Sequence, residues 1–220
     1  MAQSAWQAIA ESRSETRRAD VRLLSGADHY DVLVCKELPR ARVAVWIATA
    51  NLKELRIEAP IGTRARARGR YVSILDSLQT LSDAGVEIRL LHGSAPTRPF
   101  VSALNQHPRL KKKLALRECP RVHLKTITID GRLLYLGSAN FTGAGLGARA
   151  AERRNFELGI LTEDDYLLDQ AQAEFDAIWS GRRCGACKLR NECPKPLDRP
   201  ALPGVKRARP AKSARRKRAG

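Results

Sequence analysis

The feature that most constrains folding lies between Val122 and Leu136. The run Val122 to Ile129 (VHLKTITI) is rich in β-branched residues and predicts a strand. Leu133 to Leu136 (LLYL) predicts a second strand, and Asp130-Gly131 between them is a strong hairpin-turn signal. In a strand, residues i and i+2 share a face. His123 and Lys125 are therefore expected to point into one space, with Ile127 and Ile129 continuing along that face and Leu124, Thr126 and Thr128 on the other. The returning strand carries Ser138 and Asn140 back toward His123. A nucleophile, a cation and two neutral hydrogen-bonding side chains then converge, a set suited to a tetrahedral phosphate.

Patterning on either side predicts alternating strands and helices. Residues 1–28 are polar and basic and read as a helical or frayed lead-in. Asp28 to Pro39 has helical apolar spacing, and Val43 to Ala50 (VAVWIATA) is the continuous apolar run of a buried strand. Residues 59–70 combine proline, glycine and arginine and read as a loop. Tyr71 to Ala84 sets Val72, Ile74, Leu75, Leu78 and Leu81 on a helical face, closed by Gly85. Val86 to Leu91 is the next strand, followed by a loop at 92–100 and a basic helix at 101–118. Beyond the hairpin, Phe156 to Leu161 reads as a strand and Asp164 to Trp179 as an amphipathic helix. This alternation predicts an α/β fold, a mixed β-sheet flanked by helices on both faces. The expected organisation is a lead-in (1–28), a main domain (29–182), a cysteine-containing segment (183–197) and a disordered basic tail (198–220).

Charge narrows the partners. The chain of 220 residues has a formal net charge of +17 and a pI near 10.4. Nine basic and no acidic residues fall after Asp198, and setting them aside still leaves +8. A polyanion is the natural partner, nucleic acid first and an anionic membrane surface second. Candidate phosphate contacts are Arg64, Arg66, Arg68 and Arg70, Lys111, Lys112 and Lys113, and Arg215, Arg216, Lys217 and Arg218 in the tail. No apolar run approaches the roughly 20 residues that span a bilayer. The first residues lack the basic and apolar regions of a secretory signal, so a cytoplasmic location without stable membrane association is expected.

The stretch His123 to Asp130 reads H-x-K-x4-D and is followed by Gly137-Ser138-x-Asn140. These residues resemble the signature of the phospholipase D superfamily, H-x-K-x4-D followed by G-S/T-x-N, at every position. Asn155-Phe156-Glu157 looks like the segment where that family places a supporting glutamate, and a looser resemblance runs from Arg42 to Trp179. The resemblance implies a phospholipase D-like catalytic domain over 29–182, similar to the small bacterial endonuclease branch with one motif per chain. It implies that His123 forms a covalent phosphohistidine. Lys125 and Asn140 would stabilise the non-bridging oxygens with Ser138 assisting, and Glu157 would hold the far imidazole nitrogen. Asp130 takes the turn position and a structural role near the site. No metal is needed for this catalysis. The two chemical steps require a second proton-transfer group, and His29, His92 and His107 stand outside the motif. Single-motif members pair two copies across a two-fold axis, so a homodimer is expected, with His123 of a second copy as general acid and base. His92 acting within one chain is the alternative.

Five cysteines with no secretion signal argue against a disulfide framework. Cys184, Cys187 and Cys193 form a C-x2-C-x5-C cluster that reads as metal ligands, for structural zinc or an iron–sulfur cluster. Both centres commonly take four ligands. Cys119 is the candidate fourth and Cys35 the alternative. The spacing resembles the C-terminal cysteine segment of some iron–sulfur nucleases and helicases.

Three functions fit these residues. The first is a phosphodiesterase, a metal-independent endonuclease cleaving DNA or RNA. The second is a phospholipid-processing enzyme using the same chemistry, which an amphipathic membrane helix would favour. The third is a non-catalytic nucleic-acid-binding module, for which His123 would be dispensable.

Overall fold

The computed structural model describes residues 16–59, 62–191, 193 and 195–198. The basic tail residues Arg215, Arg216, Lys217 and Arg218 lie outside them. So do residues 1–15 of the lead-in.

Among the described residues, nine strands and six helices can be followed in chain order, besides two short 3-10 turns at Leu38–Arg40 and Ala151–Arg153. They are β1 (Arg22–Ser25), the π-type helix α1 (His29–Glu37), β2 (Ala44–Thr49), β3 (Arg56–Glu58), α2 (Arg64–Ala67), β4 (Tyr71–Ser73), α3 (Ile74–Asp83) and β5 (Glu87–His92). Then come α4 (Arg98–Asn105), α5 (Pro108–Lys113), β6 (Ala115–Glu118), β7 (Thr126–Ile129), β8 (Leu133–Gly137), β9 (Leu158–Thr162) and α6 (Asp165–Trp179). Seven strands form one mixed sheet in the order β1-β9-β8-β7-β2-β5-β6, and β3 and β4 pair separately. The strands β2, β5 and β6 are parallel, while the others pair antiparallel.

Side-chain alternation sends the sheet's apolar residues to both faces. Val45, Ile47, Leu90, Ile127 and Ile129 pack with Leu33, Leu75, Leu78 and Phe100 from α1, α3 and α4. On the opposite face, Ala48, Leu91 and Val122 meet Phe175 and Trp179 of α6. Burying each such side chain contributes roughly 1.5–3 kcal/mol. Helix α3 starts where the Ser73 hydroxyl accepts from the Leu75 N–H (3.1 Å) and ends before Gly85, whose φ of +95° suits the left-handed region. Helix α6 starts where the Asp164 carboxylate accepts from the Leu167 N–H at 2.9 Å.

Five local expectations need correcting. Tyr71 to Ser73, read as the start of a helix, form strand β4 paired with β3, and the helix begins at Ile74. Residues 22–25 of the lead-in form edge strand β1, paired with β9, with Leu24 buried beneath the sheet. The expected helix at 101–118 is two short helices followed by a strand: Pro108 lacks the N–H that continuation requires and begins α5 instead. Residues 59–70 contain one helical turn, α2, inside the expected loop. The hairpin's first strand begins at Thr126 rather than Val122.

The hairpin turn itself is built by two left-handed residues, Asp130 (φ 55°) and Gly131 (φ 63°). The Asp130 carboxylate accepts from the backbone N–H groups of Arg42 (2.9 and 3.0 Å), Val43 (2.7 Å) and Ala44 (3.0 Å). One side chain therefore ties the β7–β8 turn to the start of β2. Burial opposes ionisation here, but these three amides, with Arg132 nearby, outweigh it and hold the carboxyl below its usual range.

Candidate active site

The site forms at the sheet end where β2 stops and β7 begins. The Gly137 N–H donates to the Lys125 carbonyl at 3.2 Å, which sets the close of β8 opposite the approach to β7. His123 and Lys125 thus lie level with Ser138 and Asn140, whose segment leaves β8. Lys125 Nζ stands 3.2 Å from His123 Nδ1 and 2.9 Å from the His123 carbonyl oxygen. Asn140 Oδ1 accepts from the Asn51 N–H at 3.0 Å and from Thr49 Oγ1 at 3.2 Å. Both contacts use the amide oxygen, so the Nδ2 group is the one left to donate elsewhere. Ser138 Oγ donates to the Glu157 carboxylate and accepts from the Leu158 N–H at 3.1 Å. Asn155 Nδ2 holds the other Glu157 oxygen at 3.0 Å. Glu157 thus reaches Ser138 and Asn155; it makes no hydrogen bond to the His123 ring.

Two glycines allow this packing. A Cβ on Gly137 or on Gly159 would run into the Tyr135 side chain. That ring is 1% exposed and lies across both positions. The glycine of G-S-x-N is therefore needed for packing beneath the site.

Histidine burial separates His123 from its counterparts. His29, His92 and His107 are 0%, 3% and 8% exposed, whereas His123 is open to solvent. His92 places Nδ1 2.9 Å from the Ser94 carbonyl, and burial pushes its pKa down. His107 is held between the Ala103 carbonyl (2.7 Å) and the Asp76 carboxylate (3.0 Å).

The candidate phosphate-binding residues fall in different places. Arg64, Arg66, Arg68 and Arg70 follow the segment that leaves the carboxyl end of β2, and Arg66 pairs with Glu58. Lys111, Lys112 and Lys113 precede β6, whose start pairs with Arg89 and whose end pairs with His92. They therefore sit at the opposite end of the sheet from His123. There Lys111 bonds Asn105, and Lys113 bonds the Ser82 carbonyl and lies 3.9 Å from Asp83.

Sequence reasoning missed one contributor to the site and one arginine-lined cleft. Thr49, 1% exposed, accepts from the Phe141 N–H at 2.9 Å and contacts Asn140. The signal was a polar residue closing an apolar strand. Arg149, Arg153 and Arg154 line a cleft of about 460 Å³ with Tyr30, Glu58 and Tyr71. Their loop runs on from Asn140, and its clustered arginines were the available signal.

The cysteines also come together. Cys119, Cys184, Cys187 and Cys193 line one small cavity of about 20 Å³, whereas Cys35 lies on α1 beside Tyr30. Burial raises the Cys119 thiol; a backbone hydrogen bond at Arg121 opposes this, and the other three cysteines add to the rise. Among the described residues, no three ligand-type side chains already stand in a coordinating arrangement. Nor is any helix among them long and apolar enough to cross a membrane.

Comparison with known proteins gives this site a family. The family model described as "Cardiolipin synthase, PLD-like domain" matches residues 34–179. A cardiolipin synthase of Oceanobacillus iheyensis is 27% identical over 110 residues, 48% of this chain and 22% of that relative, so the chain spans under a quarter of its length. Among solved structures, Nuc of Salmonella typhimurium, a phospholipase D family member, is similar with a TM-score of 0.52 and 19% identity. That match covers 74% of this chain and 95% of Nuc. NucT of Helicobacter pylori gives a TM-score of 0.47 at 16% identity, over 72% and 94% of the two chains. The likeness to Nuc is one of fold. Because the family model spans more than half of the sequence and carries the whole motif from His123 to Asn140, the chain belongs to the phospholipase D superfamily of phosphodiesterases.

Proposed function

We propose that this protein is a metal-independent nuclease that cleaves DNA or RNA through a phosphohistidine on His123. The observation that carries this is the meeting of His123, Lys125, Ser138 and Asn140 at one open sheet end. An imidazole nitrogen of His123 forms a bond to phosphorus as the bond from phosphorus to the departing nucleoside oxygen breaks. Lys125 and the Asn140 amide face the non-bridging oxygens, where charge builds up. The departing oxygen takes a proton from a protonated histidine. That histidine then removes a proton from water, whose oxygen attacks phosphorus and expels His123.

The second histidine is His123 of a second copy. His29, His92 and His107 are buried, whereas His123 is exposed. An apolar surface for pairing borders it: Phe156 is fully exposed next to Glu157, and Leu23, Leu136 and Leu158 are 65%, 43% and 59% exposed on neighbouring strands. Patches of this kind at a sheet margin mark interaction surfaces.

Nucleic acid is favoured as substrate by the net charge of +17 and by the arginine-lined cleft on the loop that leaves Asn140. A phospholipid substrate is the second reading, favoured by the description of the matching family model and by the cardiolipin synthase relative.

The test compares wild type with His123→Ala on labelled single- and double-stranded DNA and RNA, in EDTA, across a salt series. Cleavage by wild type alone supports the nuclease. Salt-sensitive binding by both proteins without cleavage would replace it with a binding module. If neither binds nor cleaves, phospholipid vesicles become the substrate to assay.

A further inference from the structure

We propose that Cys119, Cys184, Cys187 and Cys193 are the four ligands of a thiolate-bound metal centre, zinc or an iron–sulfur cluster, that fastens the segment after α6 to the turn preceding His123. Such a centre is independent of the substrate assigned above.

Four thiols from two distant parts of the chain line the same small cavity. Three come from a run of successive turns. The Cys184 N–H donates to the Gly181 carbonyl (2.9 Å), that of Cys187 to Cys184 (3.1 Å), that of Arg190 to Cys187 (3.0 Å) and that of Cys193 to Leu189 (2.8 Å). The fourth sits where the chain leaves β6. The Cys119 N–H donates to the His92 carbonyl and its own carbonyl accepts from the Val122 N–H, both at 2.9 Å. Cys119 therefore anchors the turn that delivers His123.

The segment 181–197 has little apolar burial to hold it in place. Leu197 is only partly buried, against the α6 cluster, Leu189 is 41% exposed, and most of the described side chains there face solvent. Fixing each residue's backbone costs roughly 1–2 kcal/mol, so a turn-rich segment without a core needs another tie. A metal bridging it to β6 provides one. The five cysteines are all free, so no disulfide does this.

The charges around the cavity suit bound thiolates. Arg121, Arg190 and Lys195 line the same cavity as the four cysteines, and Lys195 pairs with Glu118 at 3.9 Å. Four thiolates around zinc or an iron–sulfur cluster carry net negative charge, which Arg121 is placed to offset, while Arg190 and Lys195 are paired with Asp198 and Glu118. Coordination asks the thiols to turn inward from the walls they already line.

The experiment uses the full chain purified under nitrogen without chelators. Metal is measured by elemental analysis, acid-labile sulfide and visible absorption. Zinc without visible absorption supports the zinc form; iron with labile sulfide and a charge-transfer band supports the cluster. Cys119→Ser is expected to lower metal affinity by at least the roughly 10–100-fold that loss of a ligand's supporting partner costs, whereas Cys35→Ser retains the wild-type content. Should the variant fold poorly, wild type stripped of metal and titrated with cobalt(II) is expected to give the bands of a tetrahedral thiolate complex, with the four cysteines protected from alkylation and Cys35 labelled. A chain that holds no zinc, iron or cobalt, including after reconstitution with iron and sulfide, overturns the proposal. Wild-type metal content in Cys119→Ser overturns the assignment of the fourth ligand.

Discussion

Replacing Asp130 with asparagine tests how the motif's last residue acts. The carboxylate serves three backbone amides of the β2 entry at 2.7–3.0 Å. Asparagine keeps one acceptor oxygen, enough for Val43 and Ala44, but turns an NH2 toward the Arg42 N–H and loses the charge. A hydrogen bond to a charged group contributes about 1.5–3 kcal/mol, and a neutral one about 1. Losing one charged bond and weakening two, taken at the low end of these ranges because water reaches the turn, gives an expected destabilisation of about 2.5 kcal/mol. The pH dependence supplies an internal control. The folded pKa of Asp130 is depressed, so its contribution is present above the unfolded value near 4 and is lost as pH falls through the folded one. Urea unfolding of both proteins is expected to show the full gap at neutral pH and a shrinking one below about pH 4, where protonated aspartate resembles asparagine. A gap below about 0.5 kcal/mol at neutral pH, or one that ignores pH, would refute the capping role.

Further expectations concern other residues. Gly159→Ala drives a methyl into the Tyr135 ring and is expected to destabilise by about 1–3 kcal/mol; a thermal-melt double-mutant cycle with Tyr135→Ala should show strong coupling. Lys125→Met should lower kcat on the preferred substrate about 10²–10³-fold, and single-turnover kinetics with unchanged binding would distinguish this from lost affinity. For His107, burial disfavours the charged ring, but the Ala103 carbonyl and Asp76 carboxylate outweigh it and raise its pKa. That contribution is full below the unfolded value of about 6.5 and fades as pH rises through the folded one. Asp76→Asn should therefore destabilise more at pH 6 than at pH 9, as read by urea unfolding at the two values. Replacing Arg149, Arg153 and Arg154 with alanine should flatten the plot of log affinity against log salt by about one unit for each phosphate that is no longer neutralised.

What could be read without coordinates was local. The motif was legible around a turn whose left-handed residues are written as Asp-Gly, although His123 and Lys125 precede the strand that begins at Thr126. The helices α3 and α6 and the buried β2 followed from apolar period and caps, since those signals lie within a few residues of each other.

Other features depended on which parts of the chain meet. Strand β1 forms because β9 offers an edge, and four residues of a polar lead-in do not announce a distant partner. Lys111 to Lys113 precede the motif by about ten residues, yet the parallel register of β5 and β6 carries them to the far end of the sheet. Thr49 reaches Asn140 from the carboxyl end of β2, and the arginines at 149–154 meet Tyr30, Glu58 and Tyr71 across a cleft. Cysteine spacing alone left Cys35 open as an alternative to Cys119, and packing of the final turns beside β6 brought Cys119 to the cavity. The sequence by itself determined the chemical inventory and the short-range periodicities. The tertiary structure decided which charges, thiols and hydroxyls share a space, because long-range pairing is set by the summed burial of the whole sheet and not by any one segment's residues.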